Sequence, residues 1–174
     1  MRLFYTKNTS AHLLGVDLKA PINPALGLSE TISHIHAQGE LAIASHPHVM
    51  KSEWGKNTLY LWRNQDKFAP LIDAWEIANR NNIFTPVGLK RLSYVANSDF
   101  HKPKHIYSWK TLLRCEKTVE AVKECIRKNQ HVAIILYREG LCDPRCGGAH
   151  AFADKDTGRI PSESPVPREL VNRP

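Results

Sequence analysis

The sequence predicts an α/β fold built on parallel strands. Three observations carry that class. Helix-like segments give way four or five times to short β-rich runs. The amphipathic stretch 116–130 is followed at once by the apolar run 131–137. The run 41–45 is continuously apolar, as strands covered on both faces are. A β-α-β succession implies parallel strands with right-handed crossovers, in an open sheet or a barrel. With 174 residues the chain holds one ordinary domain, read here as 1–139, and is too short for two.

Taken in order, "HLLGVDL" (12–18) reads as a strand. "LGLSETISHIHAQG" (26–39) reads as a helix, with Leu28, Ile32 and Ile35 on one face and Gly39 as its stop. "LAIAS" (41–45) is a strand that ends at His46-Pro47, because proline removes a ladder donor. "PLIDAWEIAN" (70–79) is ambiguous by pattern, and its place between loop and helix favours a strand near 72–77. "FTPVGLKRL" (84–92) predicts a helix from Pro86, and "YVANS" (94–98) a strand. "EKTVEAVKECIRKNQ" (116–130) is the clearest helix, with Val119, Val122 and Ile126 on one stripe. "HVAIILY" (131–137) is the clearest strand. Beyond Tyr137 the periodicity ends. Five of the eleven prolines fall there with few large apolar residues, which predicts a mobile, disordered tail over 140–174.

Composition narrows the function classes. No apolar run reaches transmembrane length, and no charged, apolar and small-residue succession marks a secretory leader, so the expectation is a soluble cytoplasmic protein without a membrane partner. Cys115, Cys125, Cys142 and Cys146 crowd the last third of the chain, which suits reduced thiols better than a disulfide framework. Net charge is +7, and residues 141–174 balance five Lys/Arg against five Asp/Glu. The excess therefore lies in the first 140 residues, where it suits an anionic partner such as a phosphorylated small molecule or nucleic acid.

In parallel α/β folds reactive groups collect beyond the carboxyl ends of the strands. His46 follows 41–45, and Asp99 and His101 follow 94–98. Imidazole and carboxylate are ligands suited to Zn, Mn or Fe, and a D-x-H can grip a metal from both ends of a turn. One histidine alone is more often a packing or polar residue. Two such motifs at successive strand ends point to a metal.

"HAQGELAIASHPH" followed by "VANSDFHKP" resembles the PHP (polymerase and histidinol phosphatase) family of metal-dependent phosphoesterases, as do "SAHLLGVDL" and "DAWEIAN" in their places. The resemblance covers roughly residues 8–137. It implies a distorted (β/α)₇ TIM-like barrel with two or three Zn, Mn or Fe ions at its mouth. Carried over position by position, it makes His12, His46, Asp99 and His101 metal ligands. His12 stands at the start of its strand in this reading. Either the strand begins earlier, near residues 3–5, or a bulge brings His12 to the site. The family's opening H-x-H and the glutamate before "SAHLLG" are absent, and residues 1–11 hold no His, Asp or Glu. The chain thus looks like the carboxyl-terminal portion of such a barrel, which either takes a partner chain to complete it or is a truncated product.

Lys102, Lys104 and His105 follow the D-x-H and would hold a substrate phosphate or a nucleic-acid backbone, or else are solvated loop charges. His48 suits a substrate role better than direct ligation. His34 and His36 read as surface positions on a helix, and Glu76 and Asn79 as structural or orienting groups near a strand end. "YLWRNQDKFAP" and "YSWK" mix aromatic and basic residues as base-stacking surfaces do, although Trp54, Trp62, Trp75 and Trp109 are more readily core or loop anchors. Cys142, Cys146 and His150 offer three ligands where structural zinc takes four. Gly147-Gly148 lacks the Lys-Ser/Thr of a phosphate loop. Together the residues lead to metal-dependent hydrolysis of a phosphomonoester or of a nucleotide or nucleic-acid phosphoester. The rival is a non-catalytic nucleic-acid-binding or assembly module on the same scaffold, and a fragment without function stands third.

Overall fold

Strand β3 (Leu41–Ala44) anchors the larger sheet because all four of its residues are apolar and buried. The computed structural model describes residues 2–5, 11–47, 59–80, 82–138 and 149–150, with the backbone alone at 2–5 and 149–150. Beside β3 lie β2 (His12–Val16), antiparallel, and β4 (Ala74–Asn79), parallel. Strand β1 (Arg2–Tyr5) continues the sheet antiparallel to β2. The two-residue β5 (Asn82–Ile83) folds back on the end of β4, and β6 (Tyr94–Asn97) runs parallel along the other edge of β4. A second, antiparallel sheet joins β7 (Trp109–Leu113), β8 (Val132–Leu136) and β9 (Ala149–His150).

Alternate strand residues face opposite ways, so the sheet has two apolar faces to cover. Helices α1 (Leu28–His36), α2 (Leu59–Arg63), α3 (Gln65–Phe68) and α4 (Pro86–Leu89) contribute Ile32, Ile35, Leu61, Phe68 and Val87 to one cluster with Leu13, Ala44 and Trp75. Helix α5 (Val119–Lys128) covers the other face. Its Ile126 and Val122 meet Leu14, Ile43, Ala74 and Val95. Thr118 caps α5 by accepting from the Ala121 N–H at 3.2 Å, and Asn129 ends it in the left-handed conformation.

The all-parallel expectation is corrected: in the larger sheet only the β3–β4 and β4–β6 pairings are parallel. The reversal of β2 has a cause in the chain that follows it. Lys19 N–H and Ala20 N–H both donate to Gln38 Oε1, at 3.0 and 2.8 Å, which pins the exit of β2 beside the end of α1. Residues 21–27 must then climb back along the helix before α1 begins. Seven extended residues reach ~23 Å, ample for a helix of ~13 Å. That extra traverse turns β2 against β3.

A closed barrel is not seen either, since both sheets are open among the described residues. The outer edge of β6 shows why. Thr111 Oγ1 accepts from Ala96 N–H and donates to Ala96 C=O, each at 2.8 Å. Asn129 Oδ1 accepts from Tyr94 N–H at 3.3 Å. Two side chains thus occupy the groups that a following strand would pair with. Strand β4 starts two residues later than expected, because Asp73 uses its carboxylate to accept from Ala42 N–H at 2.7 Å and to meet Arg127 at 3.1 Å and His36 at 2.9 Å. Of the tail 140–174, all but the Ala149–His150 backbone lies outside the described residues.

Candidate functional site

Leu14, Ile43 and Ala74 form the last apolar row on the face that α5 covers. Two residues further along each strand, the same face carries His12, Ser45 and Glu76. Ser45 N–H donates to the His12 carbonyl at 3.0 Å, which fixes that row. His12 therefore reaches the strand ends by the direction of β2, with neither an earlier start nor a bulge. A strand that runs backwards puts its first residue where its neighbours put their last.

Glu76, 1% exposed, organises the row. Its Oε2 accepts from the His46 backbone N–H and from the Ser45 hydroxyl at 3.4 Å, and lies 3.3 Å from His46 Nδ1. His46 Nε2 in turn lies 2.6 Å from His12 Nδ1, with the rings edge to face. These contacts are satisfied together when His46 carries its proton on Nδ1, toward Glu76, and accepts at Nε2 from His12 Nδ1–H.

A bulge between Glu76 and Ala78 alters the next row. The inserted residue turns Asn79 to the Glu76 face, paired across the ladder with Asn97. Asn79 is 6% exposed, and the side-chain NH₂ groups of both asparagines are buried without a hydrogen-bond partner among the described residues. Just beyond, Arg80 Nη2 holds Asp99 Oδ2 at 2.8 Å. His46, Arg80 and Asp99 have φ of 30°, 48° and 46°. Non-glycine residues in this region store backbone strain, which concentrates at functional sites.

The expected ligands fall into two groups. His12 and His46 meet through their rings. Asp99 gathers His101, whose Nδ1 is 2.7 Å from the Asp99 carbonyl and 3.4 Å from Oδ1, while His105 Nδ1 accepts from His101 N–H at 3.0 Å. Among the described residues no three His, Cys, Asp or Glu side chains group to hold a metal ion. The donors show why: the two imidazoles of the first group face each other, Asp99 is held by a guanidinium, and His101 bonds its own loop. A cluster of two or three Zn, Mn or Fe ions does not fit the residues as they stand.

Lys102 and Lys104 are exposed, and His105 half-buried, around a 3₁₀ turn at Pro103–Ile106. Lys110 donates to Ser108 Oγ at 3.0 Å, and burial pushes its ammonium below the usual lysine range. Trp75 and Trp109 are buried and Trp62 packs on Trp75 and Phe84, so these three are core anchors and not stacking surfaces. His34 and His36 are exposed on α1, as expected. His48, Trp54, Cys142, Cys146, Gly147 and Gly148 lie outside the described residues, as does the side chain of His150. Arg80, Ser45 and Asn97 escaped the sequence reading. The one signal for Arg80 was a charge standing directly after the buried run "AWEIAN".

No helix among the described residues is long and apolar enough to cross a membrane. No family model matches the chain, and no curated protein matches it. Among solved structures, a two-domain protein from Bacteroides vulgatus containing a predicted PHP-like metal-dependent phosphoesterase is similar, with a TM-score of 0.52 over 72% of this chain at 14% sequence identity. The chain spans 40% of that protein's length. At that identity the likeness is one of fold alone: helices around a partly parallel sheet.

Proposed function

We propose that the chain is a PHP-type phosphoesterase domain that hydrolyses a phosphomonoester or a nucleotide or nucleic-acid phosphoester. One observation carries the reading. His12, Ser45, His46 and Glu76, with the Arg80–Asp99 pair, gather at the one sheet end where β3, β4 and β6 finish. That is where α/β folds place their chemistry. The same proposal lets a partner chain extend the scaffold at an edge other than that of β6, whose outward backbone groups Thr111 and Asn129 already bond. Divalent-metal catalysis then requires ligands from outside the described residues, because those present do not assemble a centre alone. In this reading Glu76 holds His46 in one tautomer, and Lys102, Lys104 and His105 meet the phosphate at the rim.

The test is elemental analysis of the purified chain beside Asp99→Ala and His46→Ala, with phosphate release measured in parallel. The expected result is one or more equivalents of Zn, Mn or Fe, reduced in both variants, and release that stops with chelator. A metal-free chain that releases no phosphate overturns the reading. Net charge of +7 and the absence of a three-ligand group among the described residues favour a second one, a non-catalytic nucleic-acid module. It expects single-strand binding that falls steeply with salt and ignores chelator.

A further inference from the structure

We propose that Asn79 and Asn97, together with Arg80, form a receptor for a phosphoryl group that works without a metal ion. The inference rests on the phosphoester reading above and names the groups that would hold that substrate's oxygens. Its basis is a pair of buried amide NH₂ groups without a hydrogen-bond partner among the described residues. A buried amide NH₂ without a partner is destabilising, and here two stand side by side in the ladder, Asn79 opposite Asn97. Both lie on the face that carries His12, Ser45 and Glu76. The bulge in β4 creates this: without the extra residue, Asn79 would point into the opposite apolar cluster, where Ile77 and Ala78 lie.

The chemistry of the group selects its ligand. The two buried amide nitrogens without a partner are both donors, which suits an oxyanion better than a cation. Arg80 follows Asn79 directly, and because Asp99 balances its charge, what it offers an oxyanion is N–H donors. One of its amino nitrogens holds Asp99, and a guanidinium has five N–H donors in a planar fork matched to phosphate. The nearby carboxylates do not oppose an anion strongly: Asp99 is ion-paired with Arg80, and Glu76 Oε2 faces the Ser45 and His46 donors. Neutral amides beside one guanidinium suit a phosphoryl group with several oxygens better than a single carboxylate.

The experiment is calorimetric titration of the full chain with inorganic phosphate in EDTA, with thermal midpoints recorded with and without phosphate. Wild type is expected to bind phosphate and to gain stability from it. Asn79→Leu should bind at least tenfold more weakly, yet melt at the same or a higher temperature without ligand, because an orphaned donor has been removed. Asn97→Asp, equal in size but acceptor-only, should lose affinity as well, and decides the matter if Asn79→Leu does not fold. Acetate should give a smaller shift than phosphate in wild type. Unchanged phosphate affinity in both variants, or no phosphate binding by wild type, overturns the proposal and leaves the amides to buried water. Phosphate binding without phosphoester hydrolysis counts against the hydrolytic reading alone. Hydrolysis with an affinity indifferent to these substitutions counts against the receptor alone.

Discussion

Glu76 is a carboxylate with almost no access to water, and its Oε2 meets the His46 N–H, the Ser45 hydroxyl and His46 Nδ1, so its removal should be felt in stability before it is felt in chemistry. Glu76→Ala leaves the His46 N–H and the Ser45 hydroxyl without their acceptor. Hydrogen bonds to a charged group contribute about 1.5–3 kcal/mol each to stability, so the variant should lose at least about 2 kcal/mol in urea denaturation. Glu76→Gln, which keeps the shape and one acceptor oxygen, should lose less. A loss below ~1 kcal/mol for Glu76→Ala would mean that the row does not depend on this carboxylate. At this scale the positions of His46 and Asp99 were legible, because each directly follows a strand-forming run, "LAIAS" and "YVANS". The central place of Glu76 was not, since it depends on which residue of β3 stands opposite. Asn79 was less legible still: a two-residue alternation counted from Glu76 sends it to the wrong face, and only the bulge corrects the count.

Among the elements, Thr111 is one link between the two sheets, beside Tyr94 O–H on the Val132 carbonyl and Trp109 N–H on the Arg80 carbonyl. Thr111 bonds both backbone groups of Ala96, so Thr111→Val, equal in shape, should strand a buried N–H and a buried C=O. The expected cost is about 2 kcal/mol in denaturant midpoint, with faster hydrogen exchange at the Ala96 amide. Unchanged exchange would show that β6 does not need the contact. Strands β3, β6 and β8 and helices α1 and α5 were readable because their apolar runs and stripes are long relative to their loops. The direction of β2 was not readable, because it is set by the Gln38 amide, far along the chain from the strand it reverses. Strand β7 was missed for another reason. It begins in the aromatic and basic "YSWK", which has no two-residue alternation, and owes its strand form to β8.

For the whole molecule, alkaline pH is the informative axis. Burial pushes the Tyr94 phenol above its ordinary range. Burial likewise raises the Cys125 thiol, with Cys115 adding to it. Both groups are neutral when protonated and both ionise more readily in the unfolded chain. Their contribution is therefore fully present below the unfolded values and is lost as pH rises through the folded ones. The urea midpoint should hold near neutrality and fall above about pH 9 to 10. Tyr94→Phe should flatten the upper part of that fall; an equally steep fall would remove Tyr94 from the account. At this scale the α/β class was legible from the succession of helix-like and strand-like segments. Whether the sheet closes was not, because closure turns on the outer edge of one short strand.

That edge has a consequence for how copies of the chain behave toward one another. A bare strand edge is a template on which a second molecule can build, the usual start of aggregation. With Thr111 and Asn129 bonded to the backbone of β6, Ala96 and Tyr94 have no such invitation to extend. Thr111→Val, besides being less stable, should scatter more light on heating than its stability alone accounts for.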